Sequence, residues 1–269
     1  MSGGPDSCGL ALLAAAAGLE LTLHHVDHGL RPGGPAESAL VEALADRLGA
    51  RFVGHGLHVS PGPNLESRAR AARRAALPDG VLTGHTMDDQ AETVLLNLLR
   101  GAALDGLGAM HPGTKPLLAL RRAEVRALVA TAGLRTVVDP TNHDLSLRRN
   151  LVRARVLPEL SAVAGRDLVP VLARQASLLR EDAAFLDLAA ATAIPDVLDV
   201  AALRAAPPAL RRRAMRDLAR LDAPDGTHPP SAAELERIDD VVLGGAVATE
   251  LAGGRRLSRR RGRLTLDDG

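Results

Sequence analysis

The stretch Ser2-Gly3-Gly4-Pro5-Asp6-Ser7 decides the fold of this chain. Two adjacent glycines let a backbone approach an anion closely, because no Cβ blocks the way. Pro5 suits the first turn of a helix, and the apolar run at 8–17 predicts that this helix follows. Backbone N–H groups at a helix start, together with two serine hydroxyls, make a cradle for pyrophosphate. The stretch predicts a phosphate-binding loop; an ordinary helix cap in a flexible tail is the open alternative.

An acidic residue inside this loop adds a second expectation. Asp6 would repel phosphate unless a divalent cation lay between the two, so it predicts bound Mg²⁺. The loop matches neither the Walker pattern, which needs GK[ST], nor the GxGxxG pattern of dinucleotide-binding proteins. It therefore indicates a different class of nucleotide site.

A second polar motif, GHTMDDQAET, occupies residues 84–93. It follows a predicted strand at 81–83 and opens a predicted helix at 88–100. Asp89 and Glu92 are three residues apart and so share one helical face, where they would suit Mg²⁺ bound between the protein and a triphosphate. Thr86 and Asp89 also match a helix capping box, and the two interpretations are compatible.

A third motif, HHVDH, occupies residues 24–28. A metallohydrolase of the HxHxDH kind would need histidine at position 23, where this chain has Leu23. The motif then predicts a strand end at the ligand-binding edge of a sheet, where Asp27 and His28 meet a nucleotide. A purely structural strand end is equally compatible with the spacing.

Strands and helices alternate over the first half of the chain, which predicts an α/β fold with a mostly parallel sheet. The predicted strands are 19–26, 52–57, 81–83 and 136–138, and the predicted helices are 35–48, 65–77, 88–100 and 122–132. Beyond residue 145 the periodicity is helical, at 145–160 and 168–193. We therefore expect a catalytic domain at 1–165, a helical linker at 166–194 and a small α/β domain at 195–269.

Composition excludes several classes of protein. The 269 residues include no Trp, no Tyr, two Phe and one Cys, with Lys115 the single lysine among 33 basic residues. One cysteine rules out internal disulfides and CxxC sites, and no apolar run is long enough to cross a bilayer. We expect a cytoplasmic protein without a leader. The net charge of +1 by itself predicts no polyanion partner.

Taken in order, the motifs resemble the tRNA(Ile)-lysidine synthase family of PP-loop ATP pyrophosphatases. The resemblance rests on SGGPDS at 2–7, HHVDHGLR at 24–31, NLESRARAARR at 64–74 and the block at 83–110. It continues through KPLL at 115–118, DPTNHDLSLRRNLVRARVLPEL at 139–160 and RQASLLREDAAFL at 174–186. The first motif marks the superfamily alone, whereas the later blocks are specific to this family. The tail at 210–224 and 250–266 resembles the family's substrate-binding domain, in a short form.

The resemblance implies a two-step ligation. ATP, with Mg²⁺, would adenylate C2 of the wobble cytidine-34 in a CAU-anticodon tRNA(Ile), and free L-lysine would then displace AMP to give lysidine. It places ATP on Ser2, Gly3, Gly4, Pro5, Asp6 and Ser7. It assigns catalysis or metal binding to Asp6, Asp89 and Glu92. It places Asp27, His28, His85, Asp139, Asn142, Arg149, Asn150 and Arg153 near the nucleotide or substrate. A homodimer is left open.

Arginine clusters in the tail support an RNA partner. The planar guanidinium group suits phosphate contacts, and neutralising several phosphates makes binding strongly salt-dependent. A solvated charge run on a terminal hairpin is the alternative interpretation. The predicted tRNA-binding residues are Arg211, Arg212, Arg213, Arg255, Arg256, Arg259, Arg260 and Arg261.

The chain departs from the family in one respect. Relatives carry a hydrophobic strand before the SGG loop, whereas Met1 alone stands there in this sequence. We expect that strand in a complete chain. The alternatives to an active ligase are a non-catalytic tRNA-binding relative and another PP-loop tRNA-modifying enzyme such as a thiolase.

Overall fold

A computed structural model describes residues 1–27, 29, 34–57, 65–137, 139–221, 223 and 229–267. The chain divides into two units, Met1–Leu179 and Arg180–Gly269, which are described separately below. The predicted boundaries at 165 and 194 stay predictions.

The first unit begins with the expected loop and helix. Helix α1 spans Pro5–Ala16, with Pro5 in its first turn. Gly18, at φ +75°, ends it, because the Gly18 and Leu19 N–H groups turn back to the carbonyls of Ala15 and Ala14. The strand predicted from residue 19 therefore starts only at Thr22.

Parallel pairing is confirmed for the two strands of this unit. Strand β1 (Thr22–Asp27) pairs in parallel with β2 (Arg51–Gly56), and α2 (Gly34–Leu48) is the crossover between them. Leu23 of β1 packs with Val41 and Leu44 of α2, and Phe52 of β2 joins the same core. This is the βαβ unit that the alternating pattern predicted.

The rest of the first unit is helical. Its helices are α3 (Leu65–Ala76), α4 (Met87–Leu99), α5 (Leu104–Leu107), α6 (Arg122–Thr131), α7 (Arg148–Leu151) and α8 (Leu157–Ala164). Short 3₁₀ turns lie at Pro112–Thr114, Pro116–Ala119 and Pro140–His143, and a π-helical segment at Val152–Val156 joins α7 to α8. A second core, which includes Leu95, Val152 and Leu157, holds the π segment against α4.

Two predicted strands are wrong. Residues 81–83 form no strand, and the Thr83 N–H instead bonds to the Thr114 carbonyl. Thr136 and Val137 also lie outside any strand, and the Val137 N–H bonds to the Gly3 carbonyl, whereas Val138 lies outside the described residues. A strand needs a ladder of backbone bonds to a neighbour, and local sequence carries no information about that neighbour.

The second unit combines helices with a small antiparallel sheet. Helix α9 (Val169–Ala193) contributes residues to both units, and α10 (Val200–Ala205), α11 (Pro208–Arg220) and α12 (Ala232–Leu243) follow. Strands β3 (Ala248–Glu250), β4 (Arg256–Arg260) and β5 (Arg263–Asp267) pair in that order. Leu203, Met215, Ile238, Leu257 and Leu264 form the core. Among the described residues, no helix is long and apolar enough to cross a membrane.

Candidate active site

The phosphate loop has the geometry of a backbone cradle. Gly3 has φ +71°, a conformation that glycine adopts without strain, and α1 begins two residues later. The Ser7 hydroxyl donates to the Gly4 carbonyl at 3.0 Å and lies 3.3 Å from the Ser2 hydroxyl. The loop and the two hydroxyls thus surround the N-terminus of α1, which is the favoured position for an anion.

Asp6 lies at the start of this helix with one oxygen unsatisfied. Its Oδ1 atom is buried and has no hydrogen-bond partner in the described part of the chain. Its Oδ2 atom is 3.9 Å from Nε of Arg122, which is buried and likewise lacks a hydrogen bond there. Burial, and then the charge of Asp89, raise the pKa of Asp6. A buried carboxylate oxygen without a donor fits a cation ligand.

An ion-pair cluster of five side chains adjoins Asp6: Asp89, Glu92, Arg122, Arg149 and Arg153. Glu92 is fully buried, and its two oxygens accept bonds from all three arginines at 2.7–3.2 Å. Asp89 Oδ1 accepts from Arg122 at 2.8 Å and from Arg149 at 3.1 Å. The two acids share one face of α4, as the spacing predicted.

The other oxygen of Asp89 caps α4. Asp89 Oδ2 accepts the backbone N–H and the hydroxyl of Thr86, each at 2.8 Å, which confirms the capping-box interpretation. Burial alone would raise the pKa of Asp89, but the Arg122 charge and the Thr86 N–H outweigh it and lower that pKa to about 2. Asp89 is therefore ionised at neutral pH.

The residues present fit Mg²⁺ at Asp6 better than at α4. Every oxygen of Asp89 and Glu92 already accepts bonds from arginine or Thr86. Within the described ranges, no three His, Cys, Asp or Glu side chains converge as a metal site. Mg²⁺ commonly takes one or two carboxylates and completes its shell with water and substrate phosphates. The contacts favour Asp6 as the protein ligand and the α4 acids as anchors for the arginines.

His85 is held next to the α4 N-terminus. Its Nδ1 atom is 2.9 Å from the Thr83 hydroxyl. Burial lowers the pKa of His85, and Arg149 adds to that effect against the opposing charge of Asp89. The imidazole is therefore neutral at pH 7, the form that accepts a proton.

The late motif shapes the loop that leads to the arginines. Asp139 Oδ1 accepts from the N–H and hydroxyl of Thr141 at 2.9 and 2.8 Å. Asn150 is buried and donates to the carbonyls of Thr141 and Asp144 at 2.7 and 2.9 Å. Asn142 is exposed. Asp139 and Asn150 thus hold the loop that precedes the helical turns carrying Arg149 and Arg153.

The HHVDH motif divides between packing and a turn. His24 stacks on His55 of β2, with Nδ1 2.9 Å from Nε2, and His25 Nδ1 lies 2.9 Å from the Met1 carbonyl. Asp27 Oδ1 accepts the Gly29 N–H at 2.9 Å. His28 lies outside the described residues. The nucleotide contact expected of Asp27 stays a prediction.

Three of the arginines predicted to bind tRNA are internal. Arg211 is buried and donates to Asp239 at 2.7 Å, and Arg213 is buried and pairs with Asp187 at 3.0 Å. Arg255 is 3% exposed and donates to three backbone carbonyls at the end of α11 and just after β3. These guanidinium groups stabilise the second unit from inside. Phosphate binding stays a prediction for the other five of the eight arginines.

The others lie on the surface of the second unit, and two of them, Arg260 and Arg261, lie at one end of the small sheet. Arg212 on α11 is exposed, as are Arg256, Arg260 and Arg261, whereas Arg259 is half-buried. Arg261 has φ +49° and lies with Gly262 in the tight turn between β4 and β5. Arg260 and Arg263 are cross-strand neighbours on the outer face of that hairpin.

The sequence reasoning missed Arg122, which bridges the loop and α4. Arg122 is 30 residues from Glu92 and begins a helix that was predicted correctly, yet nothing local marks it as a partner of the acids. The available signal was indirect: two acids on one helix face, predicted to be buried, require basic partners.

Comparison with known proteins identifies the family. Residues 1–160 match the family model described as a PP-loop domain, and residues 198–265 match the TilS substrate binding domain. The chain is 41% identical to a tRNA(Ile)-lysidine synthase of Nocardia farcinica over 99% of this chain and 90% of that protein. The chain belongs to the tRNA(Ile)-lysidine synthase family. It is an ATP-using ligase of the PP-loop class.

Other tRNA(Ile)-lysidine synthases give the same result. One from Mycolicibacterium paratuberculosis is 45% identical over 80% of this chain and 72% of that protein. One from Thermus thermophilus is 41% identical over 81% of this chain but 47% of its own length. Among solved structures, the U34-tRNA thiolase NcsA from Methanococcus maripaludis, with its [4Fe-4S] cluster, has a TM-score of 0.53 and 21% identity. The match covers 67% of this chain and 71% of the thiolase chain. That likeness supports the PP-loop fold alone.

Proposed function

We propose that this protein joins free L-lysine to C2 of the wobble cytidine-34 of a CAU-anticodon tRNA(Ile), at the expense of ATP, which becomes AMP and diphosphate. The product, lysidine, would change decoding from AUG to AUA. The observation that carries the proposal is the unsatisfied Asp6 oxygen in a phosphate cradle, adjoining an acid–arginine cluster. Family membership supports the same activity.

The chemistry has two balanced steps. The C2 oxygen of the cytidine attacks the α-phosphorus of ATP, and the bond from that phosphorus to the leaving diphosphate breaks. The ε-amine of lysine then attacks C2, the C2–O bond breaks, and AMP leaves. The amine loses a proton, since its usual pKa of about 10.4 keeps it protonated at neutral pH. A carbonyl oxygen leaves poorly, whereas AMP leaves well, which explains why ATP is needed.

The first step depends on the loop. The N–H groups at the start of α1, with Ser2 and Ser7, hold the phosphates in line for attack. Asp6 Oδ1 would hold Mg²⁺ together with phosphate oxygens, and that ion would supply charge stabilisation for the leaving diphosphate. Arg122 positions the Asp6 carboxylate through its contact to Oδ2.

The second step depends on groups around α4. The neutral imidazole of His85 accepts the proton that the lysine amine releases. Arg149 and Arg153 are partly exposed, with side-chain accessibilities of 40% and 29%, and they can present N–H donors to an anionic substrate group while they pair with Glu92. Asp89 and Glu92 keep these donors in place.

The RNA is held in part by the second unit. Arg212 on α11 and three arginines of the β4–β5 hairpin, Arg256, Arg260 and Arg261, present guanidinium groups to solvent. Phosphate contacts of this kind give affinity without reading sequence, so recognition of the cytidine has to come from the first unit.

A thiolase activity is less well supported. The solved thiolase carries a [4Fe-4S] cluster, and such clusters are held by several cysteine thiolates. This chain has one cysteine, Cys8, which is buried and whose pKa burial raises to about 11. A thiolate ligand set is therefore absent from the sequence.

The direct test is ligation by the purified protein. We expect labelled lysine to enter a CAU-anticodon tRNA in the presence of ATP and Mg²⁺, with one AMP and one diphosphate released per lysine. Salt-sensitive tRNA binding without lysine incorporation would instead identify a non-catalytic relative.

The matched site test uses two aspartates. Asp6→Ala should abolish release of diphosphate and leave tRNA affinity within about twofold, because the residue contacts no RNA in this mechanism. Asp46→Ala, at an exposed position on α2, is the control and should leave both unchanged. Retained turnover in Asp6→Ala would remove that residue from the mechanism.

A further inference from the structure

A groove lies beside the ion-pair cluster, where the C-terminal end of α4 faces α7 and the π segment. Its volume is about 160 Å³. Its walls are mainly apolar, and two arginine side chains contribute to the lining. The lining includes Leu96, Leu99, Leu151, Val156, Arg100 and Arg148. None of these residues has a role in the two reaction steps.

The groove and the ion-pair cluster are built on the same helical elements. Glu92 and Leu96 are four residues apart on α4, and Arg100 is its C-cap residue, so the three follow one another along one side of the helix. At 1.5 Å per residue, Leu96 is about 6 Å and Arg100 about 12 Å along the axis from Glu92. A nucleotide linked to one held at the cluster would lie over this face.

The π segment directs its side chains to both places. Arg153 reaches Glu92 at 2.7 Å, whereas Val152 and Val156 line the groove. The preceding turn divides in the same way, with Arg149 on Glu92 and Arg148 at the groove. π-helical turns are uncommon and occur often at functional sites. The irregularity here shapes the cluster and the groove together.

The chemistry of the groove suits a nucleobase. Leu99 is 72% exposed, an unusual state for a large apolar side chain next to other exposed apolar groups. Neither Arg100 nor Arg148 forms an ion pair within the described residues, and both are exposed. A cavity of about 150 Å³ lined by aliphatic groups accepts a benzene ring, so this groove, which is open to solvent, can take part of a planar base.

Composition explains why such a site would be aliphatic. Unpaired bases usually stack on aromatic rings or on guanidinium planes. This chain has no Trp or Tyr; Phe52 lies in the sheet and Phe185 on α9 of the second unit. Histidines such as His85 could also stack on a base, and leucine walls with neighbouring arginines are a second means that this sequence offers.

We propose that the groove binds the adenine base that follows the reacting cytidine in the CAU anticodon, with the flanking phosphates on Arg100 and Arg148. This rests on the proposed function. The groove then reads the anticodon beyond its first base, and it helps to splay the cytidine away from its neighbour and into the cluster.

The test replaces that adenine with the fluorescent analogue 2-aminopurine in a CAU anticodon stem-loop RNA. Binding to the unaltered protein should change its fluorescence, because the base leaves the RNA stack and enters the groove. Leu99→Ser should remove most of that change, and the double variant Arg100→Ala, Arg148→Ala should weaken binding about tenfold. The double variant should also reduce the slope of log affinity against log salt by about 1.4, at 0.7 per lost single-strand phosphate contact.

Matched controls separate the groove from the general surface. Leu19→Ser changes an apolar side chain that is 56% exposed elsewhere in the same unit, and Arg135→Ala removes an exposed guanidinium group. Both should leave the fluorescence change and the affinity within twofold, and thermal unfolding should show that all variants are folded. The KM values for ATP and lysine should stay unchanged in the groove variants.

The outcomes are distinguishable. If the groove variants bind and report like the controls while the protein ligates lysine, the groove proposal is wrong and the proposed function stands. A second outcome is that the groove variants lose affinity for the stem-loop, wherever the analogue is placed, but keep the full fluorescence change of the analogue in the anticodon. The groove is then a phosphate site and the base assignment is wrong. If the protein neither binds the RNA nor ligates lysine, both proposals fail.

Discussion

Glu92 is fully buried on α4, and Arg122 Nη2 lies 2.8 Å from its Oε1 atom. The same Nη2 group lies 2.8 Å from Asp89, and Arg122 Nε approaches Asp6. One guanidinium group thus connects the phosphate loop to the helix that carries both acids. The negative charges of three carboxylates and the positive charges of three arginines cancel here, which offsets the free-energy cost of burying them.

Removal of one negative charge from this cluster should be costly. Glu92→Gln leaves Arg122, Arg149 and Arg153 with too little compensating charge in a buried place, and we expect a loss of about 3 kcal/mol in the free energy of unfolding. Urea denaturation measures it. Glu42→Gln, exposed on α2, is the control and should change stability by less than about 0.5 kcal/mol. Equal effects for the two variants would contradict the assigned role of Glu92.

Asp89 should give the fold a specific acid dependence. Its pKa is lowered from 3.8 to about 2 in the folded state, so the unfolded chain binds the proton more readily. The stabilisation from its ionised form, about 2 kcal/mol, is complete above about pH 5 and is lost as the pH falls towards 2. The difference in stability between the unaltered protein and Asp89→Asn should therefore shrink over that interval. A constant difference from pH 5 to pH 2 would contradict this.

Gly84 should be required for the phosphate loop to keep its place. A Cβ at this position would lie 2.5 Å from the Asp6 carbonyl oxygen, which is backbone and cannot yield cheaply. Gly84→Ala should weaken ATP binding at least tenfold, measured by calorimetry. Gly56→Ala places its Cβ in open space at the end of β2 and serves as the control. Undiminished ATP affinity in Gly84→Ala would show that the loop does not depend on this contact.

The arginines of the second unit should separate into two kinds. Arg260→Ala and Arg261→Ala remove exposed charges, and each should reduce the salt dependence of tRNA binding by about 0.9 or less in slope while the fold is unaffected. Arg255→Ala removes the donor to three backbone carbonyls and should lower the unfolding temperature of the unit. The pattern is contradicted if Arg255→Ala is as stable as Arg260→Ala.

Local sequence was sufficient for most helices and for the loop. Helix α4 was predicted at 88–100 and lies at Met87–Leu99, because Thr86 and Asp89 form a cap that is written within four residues. The phosphate loop was equally legible, since its glycines, proline and acid are consecutive. Features of this kind depend on neighbours in the chain.

Long-range partners were not predictable in this way. Arg122 meets Glu92 through the tertiary fold, and the unpaired state of 81–83 depends on which backbone lies beside it. The buried arginines are an intermediate case. Arg211 lies three and four residues before Ala214 and Met215, on the apolar stripe of α11, so helical periodicity alone indicates that it faces the core. A count of arginines alone does not show that Arg211 faces the core, because it ignores the helix face that each arginine occupies.

Nucleoside mass spectrometry can show whether lysine is attached at C2 of the wobble cytidine. After incubation with ATP, Mg²⁺ and lysine, a CAU-anticodon tRNA should yield one modified nucleoside, cytidine carrying lysine, from position 34. The same tRNA with adenosine at that position has no C2 carbonyl to adenylate and should yield none. Lysine bound to any other nucleotide, or an unmodified cytidine after AMP has been released, would contradict the account.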